Sequence, residues 1–200
     1  FGAGSSWVER QLFIWGKTLF FKNKEKTIYL KAVGLFDNDE SGNTCINSLK
    51  KDIQDDSAES KTFTTVKLDK KYAKHLIPIY KKGLTIPITL EEMYSHFCWQ
   101  YAHEIGWLIE RKLSESMLQN PNNWDKIHKS LTDHVKSLEL SIEEDLYVRF
   151  KINEECKVSL VKYIKTLPLE DQKMALASFQ PLIQDILSKL KLETPSQSSD

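Results

Sequence analysis

Hydrophobic and polar positions change rhythm near residue 89. Before it, short runs alternate with period two; after it, apolar residues recur at helical spacing. The longest helical stretch runs from 89 to about 118. Thr89 and Glu92 make a capping box at its start. Leu90, Tyr94, Phe97, Tyr101, Ile105 and Leu108 then line one face, with Cys98, Ala102 and Ile109 beside it. His96, Trp99, His103, Trp107 and Glu110 form a second stripe, so neighbours are expected on both sides. Such a helix spans about 45 Å and reads as the spine of the fold.

Ahead of it the reading is β. Strands are expected over 7–15, 17–22 and 27–33, with the polar run 23–26 as a hairpin connection. Ile28, Leu30 and Ala32 share one face of the third, and Tyr29 and Lys31 the other. Residues 37–60 are polar, acidic and rich in turn formers, and read as a mobile excursion; only 45–49 is apolar enough for a strand or one helical turn. Alternation returns over 62–68, with Thr62, Thr64, Val66 and Leu68 on one face. A short helix over 70–80 ends near Pro78, and Pro87 keeps 84–88 extended.

Beyond the spine, Asn120-Pro121-Asn122-Asn123 is a break. Asn122 or Asn123 caps a helix that carries Trp124, Ile127, Leu131, Val135 and Leu138 on one side and Lys126, Lys129, Asp133 and Lys136 on the other. Residues 141–152 give two opposed signals. Ser141 and Glu144 spell a capping box, yet Leu146, Val148, Phe150 and Ile152 alternate with polar neighbours. Alternation over seven residues is the stronger signal, and the expectation is a strand. Asn153 caps a helix to Leu167 with Val158, Val161 and Ile164 inward; Pro168 opens another, which Pro181 kinks or restarts. The fold class expected is α+β: an antiparallel β-sheet from the N-terminal half, packed on a long central helix and a helical C-terminal half. A single domain covers 7–192, β-rich over 7–88 and mainly helical over 89–192. Residues 1–6 read as a linker or vector remnant, and 193–200 as a disordered tail.

Charge changes this picture more than composition does. The 28 basic and 28 acidic residues cancel, which disfavours a dedicated nucleic-acid binder. They are segregated, however. Lys61, Lys67, Lys70, Lys71, Lys74, Lys81 and Lys82 face only Asp69 in their stretch, next to an acidic block with Asp37, Asp39, Glu40, Asp52, Asp55, Asp56 and Glu59. The lysines suit an acidic protein, a phosphorylated ligand or an anionic lipid headgroup. Three widely spaced cysteines, Cys45, Cys98 and Cys156, point to reduced thiols and a cytoplasmic setting. No apolar run approaches the roughly 18 residues that cross a membrane, and no secretory signal is visible.

No motif rises to a catalytic signature. His96 and His103 lie seven residues apart, about 10 Å along a helix, too far for one metal without ligands from elsewhere. Cys98 and His96 point to opposite sides of such a helix. Cys45 is surrounded by carboxylates, and Glu154 and Glu155 oppose any dipole effect on Cys156. Asp37-Asn38-Asp39-Glu40-Ser41-Gly42 has the opening of a calcium loop but not its later ligands. Phosphate loops and hydrolase elbows are absent from the sequence. Trp7-Val8-Glu9-Arg10 through Phe13, with Gly16, Leu19, Phe20, Phe21 and Lys22, resembles the early strands of a pleckstrin-homology domain. The resemblance is short, lacks that fold's first strand, and implies anionic-lipid binding, carried only as an alternative.

The expectation is a non-catalytic protein-interaction module, an adaptor or subunit of a larger assembly, with another protein as partner and no cofactor or metal. Its binding residues would be Lys67, Lys70, Lys71, Lys74, Lys81, Lys82, Trp99 and Trp107. One alternative is an anionic-lipid or phospho-ligand domain using the Lys67 to Lys82 block. Another is an enzyme with a site around His96 and His103.

Overall fold

In the computed structural model, residues 4–23, 31–54, 57–121 and 130–190 are described, with backbone alone over 19–23. They fall into two units: Phe1–Asp69 with Gln180–Asp200, and Lys70–Phe179.

The first unit is built on a strand–helix–strand crossover. Strand β1 (Ala32–Phe36) leads into helix α2 (Glu40–Asp52), and β2 (Phe63–Lys67) returns parallel to β1. Asp39 starts α2 by accepting from the Gly42 amide at 2.7 Å. Cys45 and Leu49 of α2 meet Phe36 of β1 and Leu12 in the core. Leu12 comes from helix α1 (Ser5–Asn23), which packs on α2 and β1. Gly34 permits that approach, because a Cβ there would stand 2.4 Å from Leu12 Cδ1. The indole of Trp15 donates to the Thr62 carbonyl at 3.1 Å, and Lys17 pairs with Glu59 at 3.0 Å. The outer side of α1 is also apolar, with Trp7 55% and Ile14 54% exposed.

The second unit is mainly helical. A 3-10 turn (Lys74–Leu76) runs into α3 (Ile77–Lys81), with Pro78 in the first turn of that helix, where its missing N–H costs nothing. Residues 84–88 are extended, and Leu84, Ile86 and Ile88 are all buried with period two. A 3-10 turn (Glu91–Met93) precedes α4 (His96–Glu104), followed by β3 (Leu108–Glu110). Then come α5 (Leu131–Ser137), α6 (Ile142–Arg149), β4 (Phe150–Ile152), α7 (Lys157–Thr166) and α8 (Leu169–Ala175). β3 and β4 pair antiparallel, with Leu108 opposite Ile152. Helix α9 (Phe179–Leu190) lies in the first unit from Gln180 onward, and Pro181 sits in its first turn, so the helix restarts there.

The antiparallel sheet packed on helices is overturned. The described residues are 61% helical with two small sheets, one a parallel pair and one an antiparallel pair. Residues 7–22, read as β strands and as resembling pleckstrin-homology strands, form α1. Over 7–18 the apolar residues serve two helix faces, Leu12 inward and Trp7 and Ile14 outward, which removes the polar stripe that marks an ordinary surface helix. The excursion over 37–60 contains α2. Most of the expected strand 27–33, the cap at Asn122 or Asn123, and the tail from 193 lie outside the described residues.

The spine is also corrected. Only His96–Glu104 is α-helical within 89–118. Glu92 does reach back to the Thr89 amide at 2.8 Å, but Tyr94 and Ser95 then extend, with ψ of 150° and 160°. At the other end Gly106, at φ 74°, closes a Schellman motif. Its amide bonds to His103 O and that of Trp107 to Ala102 O. The buried face is therefore Cys98, Trp99 and Ala102; Phe97 and Tyr101 are half-buried, and Leu90 and Ile105 are exposed. Over 141–152 the capping box prevails: the Glu144 amide donates to Ser141 Oγ, and the Ser141 amide to Glu144 Oε2. The strand begins only at Phe150. In α7 the inward residues are Leu160 and Ile164, while Val158 and Val161 face out.

A buried ion pair holds the turn before α4 to the chain after β3. Arg111 Nη2 donates to Glu92 Oε1 at 2.8 Å, and Glu92 is 2% exposed. The Thr89 hydroxyl donates to Glu92 Oε2 at 2.6 Å, and Arg111 Nε to the Phe150 carbonyl at 3.2 Å. Both charges are thus hydrogen-bonded on more than one side, as burial requires.

Candidate functional site

In the second unit, α4 and α6 flank an open groove of about 750 Å³. Helix α4 supplies His96, Gln100, His103 and Glu104 at spacings of three and four, which put them on one side. The opposite wall is Leu140, Ile142, Glu143, Asp145, Leu146 and Arg149, with Phe150 at its end. The Ser141–Glu144 box fixes where α6 begins and so where Ile142 and Glu143 project. Lys82 reinforces it, donating to Glu144 Oε2 at 2.6 Å and to the Glu139 carbonyl at 2.7 Å. Burial pushes the Glu144 carboxyl up, but the Lys82 ammonium and the Ser141 cap outweigh it and bring the group below its ordinary value.

Polar groups in the groove are only loosely paired. His96 Nε2 lies 3.7 Å from Glu143 Oε1, and Arg149 is 3.6 Å from Asp145. Gln100 donates to Glu104 at 3.3 Å, and the His103 ring meets Phe150 edge-on at 5.5 Å. His96 Nδ1 is buried without a hydrogen-bond partner. Beneath the groove, Tyr147 packs between Trp99 (4.5 Å between ring centroids) and His75 (5.2 Å). Its hydroxyl donates to the Tyr94 carbonyl at 3.1 Å, and burial pushes the phenol far up. His75 bonds to the Glu92 carbonyl at 3.0 Å, and burial holds its imidazole below the ordinary histidine value.

His96 and His103 do share this groove, as the enzyme alternative requires. Among the described residues, Cys98, Cys45 and the groove's serine are placed as follows. Cys98 is fully buried, and burial raises its thiol pKa despite the nearby Ser95 hydroxyl. The Ser141 hydroxyl is engaged in the helix cap. Cys45 lies in the first unit's core, where burial and Glu9 push its thiol up. Among the described residues no three His, Cys, Asp or Glu side chains are gathered to hold a metal ion. No described helix is long and apolar enough to cross a membrane.

The expected binding residues are described within their own units: Lys67 in the first, the rest in the second. Trp99 is fully buried, its indole donating to the Glu91 carbonyl at 3.1 Å, so it is a core residue. Trp107 is half-buried, edge-on to Tyr101 at 5.7 Å. Lys67 belongs to the first unit and donates to Asn43 at 3.0 Å. Lys70 sits 4.9 Å over Tyr80 and Lys71 4.6 Å over Tyr72. Lys82 is tied to α6, while Lys74 and Lys81 are exposed. The groove residues Ile142, Glu143 and Arg149 are hidden in the sequence by the alternation over 146–152, which points to a strand where α6 forms. The capping box was the signal that could have found them. No family model, no curated protein and no solved structure matches the chain.

Proposed function

We propose that the chain is a non-catalytic protein-interaction module, an adaptor or subunit of a larger assembly, which docks its partner in the groove between α4 and α6. One observation carries the reading: Ile142 stands 83% exposed on the wall of a concave surface that also holds Leu140, Leu146 and Phe150. A large aliphatic side chain left in water is ordinary on a convex surface. Inside a groove of this size, with apolar neighbours, it is the kind of anchor that protein interfaces cover. An intracellular setting accords with this, since all three cysteines are free thiols.

The test compares wild type with Ile142→Asp in a native pull-down read by mass spectrometry. The substitution falls on an exposed helix start and is expected to leave the melting temperature unchanged. A partner captured by wild type and lost by the variant supports the reading. Equal capture by both removes the groove from it.

A further inference from the structure

The groove carries information about its occupant. Its walls are two α-helices, whose backbone N–H groups are consumed within the helices except at their ends. β4 is three residues long, is paired with β3 along one edge, and meets the groove only through Phe150. An extended peptide in the groove would therefore reach a strand edge at one residue, whereas a helix satisfies its own backbone and needs only side-chain contacts. The charges on the walls are unequal. Three carboxylates, Glu104, Glu143 and Asp145, stand against the single guanidinium of Arg149, which already faces Asp145 at 3.6 Å. Glu104 accepts from the neutral Gln100 amide at 3.3 Å, and the Glu143 side chain, 3.7 Å from His96 Nε2, is 66% exposed. The same lining carries Ile142, 83% exposed, half-buried Leu140 and Phe150, and buried Leu146.

We propose that the partner segment is a basic amphipathic helix: an apolar stripe laid on exposed Ile142 and half-buried Leu140 and Phe150, flanked by lysine or arginine facing Glu104 and Glu143. The assignment rests on the groove being the docking surface, as proposed above. Opposite charges around an apolar centre would mainly set orientation and association rate, with the aliphatic contacts holding the complex.

Fluorescence anisotropy on the whole chain tests it with three labelled peptides. They are a helical Leu/Lys amphipath, its Leu/Glu counterpart, and a Leu/Lys peptide of the same composition without an apolar face. The Leu/Lys amphipath is expected to bind, and the other two much more weakly. Glu104→Gln with Glu143→Gln should weaken it about fivefold, the scale of two exposed ion pairs, and flatten its salt dependence. Ile142→Asp should abolish it. Equal binding of the Leu/Glu or scrambled peptide, no binding of the amphipath, or no effect of the double substitution overturns the basic-helix assignment. If some peptide's binding is still lost in Ile142→Asp, the groove survives as the docking surface. Binding of the amphipath that withstands Ile142→Asp overturns both.

Discussion

Replacing Glu92 by glutamine changes one atom in size terms and removes one buried charge. In the folded chain Glu92 Oε2 accepts from the Thr89 amide at 2.8 Å and its hydroxyl at 2.6 Å, while Oε1 accepts from Arg111 at 2.8 Å. Glutamine offers one oxygen and one NH2 group. Whichever way it turns, the NH2 meets a donor, either the Arg111 guanidinium or the Thr89 amide. One charge-assisted hydrogen bond is lost, about 1.5–3 kcal/mol, and Arg111 is left without its counter-ion in a site where its side chain is 11% exposed. Breaking a buried pair from one side typically costs about 3–5 kcal/mol, so about 3 kcal/mol is expected for Glu92→Gln. Adding Arg111→Met removes the stranded charge and should recover at least about 1.5 kcal/mol of that loss. Urea unfolding of wild type, both single variants and the double variant measures all four corners. A Glu92→Gln change within about 0.5 kcal/mol of wild type, the range of ordinary surface substitutions, would refute the reasoning.

Trp99→Ala should destabilise by about 4 kcal/mol, because a fully buried indole and its bond to Glu91 are both lost, and half-buried Phe97→Ala should cost less; denaturant midpoints give the order. Glu139 is held at φ 49° and Gly106 at φ 74°, so Glu139→Gly is expected to gain about 0.5–1 kcal/mol and Gly106→Ala to lose about 1 kcal/mol, read by thermal melts. His75 is held below its ordinary 6.5, so between its folded and unfolded values the unfolded chain binds more protons. Stability is then full above the ordinary histidine range and falls as pH drops through it, and His75→Gln should flatten that slope in melts taken from pH 7 to pH 5. Glu144 is depressed instead, so its contribution is present above the ordinary carboxylate range and lost as pH falls below it; Lys82→Gln should remove that part of the acid sensitivity.

Local signals that coincide with burial could be read from the chain. Val66 and Leu68 alternate and are buried, Leu84, Ile86 and Ile88 do the same, and Asn153 and the two prolines at 168 and 181 mark helix starts. Signals that compete locally were harder. Aromatic density in 7–22 suggested β structure, because the apolar outer side of α1 hides helical periodicity. Gly106 was passed over inside an apolar pattern, although only its left-handed φ lets the chain turn from α4 into β3. The groove is hidden for another reason: the Ser141–Glu144 box that fixes where α6 begins competes with the alternation over 146–152, and the Lys82–Glu144 pair that reinforces it joins positions 62 apart in sequence. The Glu92–Arg111 pair and the burial of Trp99 are likewise long-range facts that no local spacing encodes.

The docking groove is tested most directly by hydrogen–deuterium exchange of the whole chain, alone and with its captured partner. Backbone amides in α4 and α6 sit behind the surface formed by His96, Gln100, Ile142 and Arg149. The account predicts partner-dependent protection concentrated in residues 96–104 and 140–150, absent in the Ile142→Asp variant. Protection confined to residues 67–82, around the lysine block, with 96–104 and 140–150 unchanged, would contradict it.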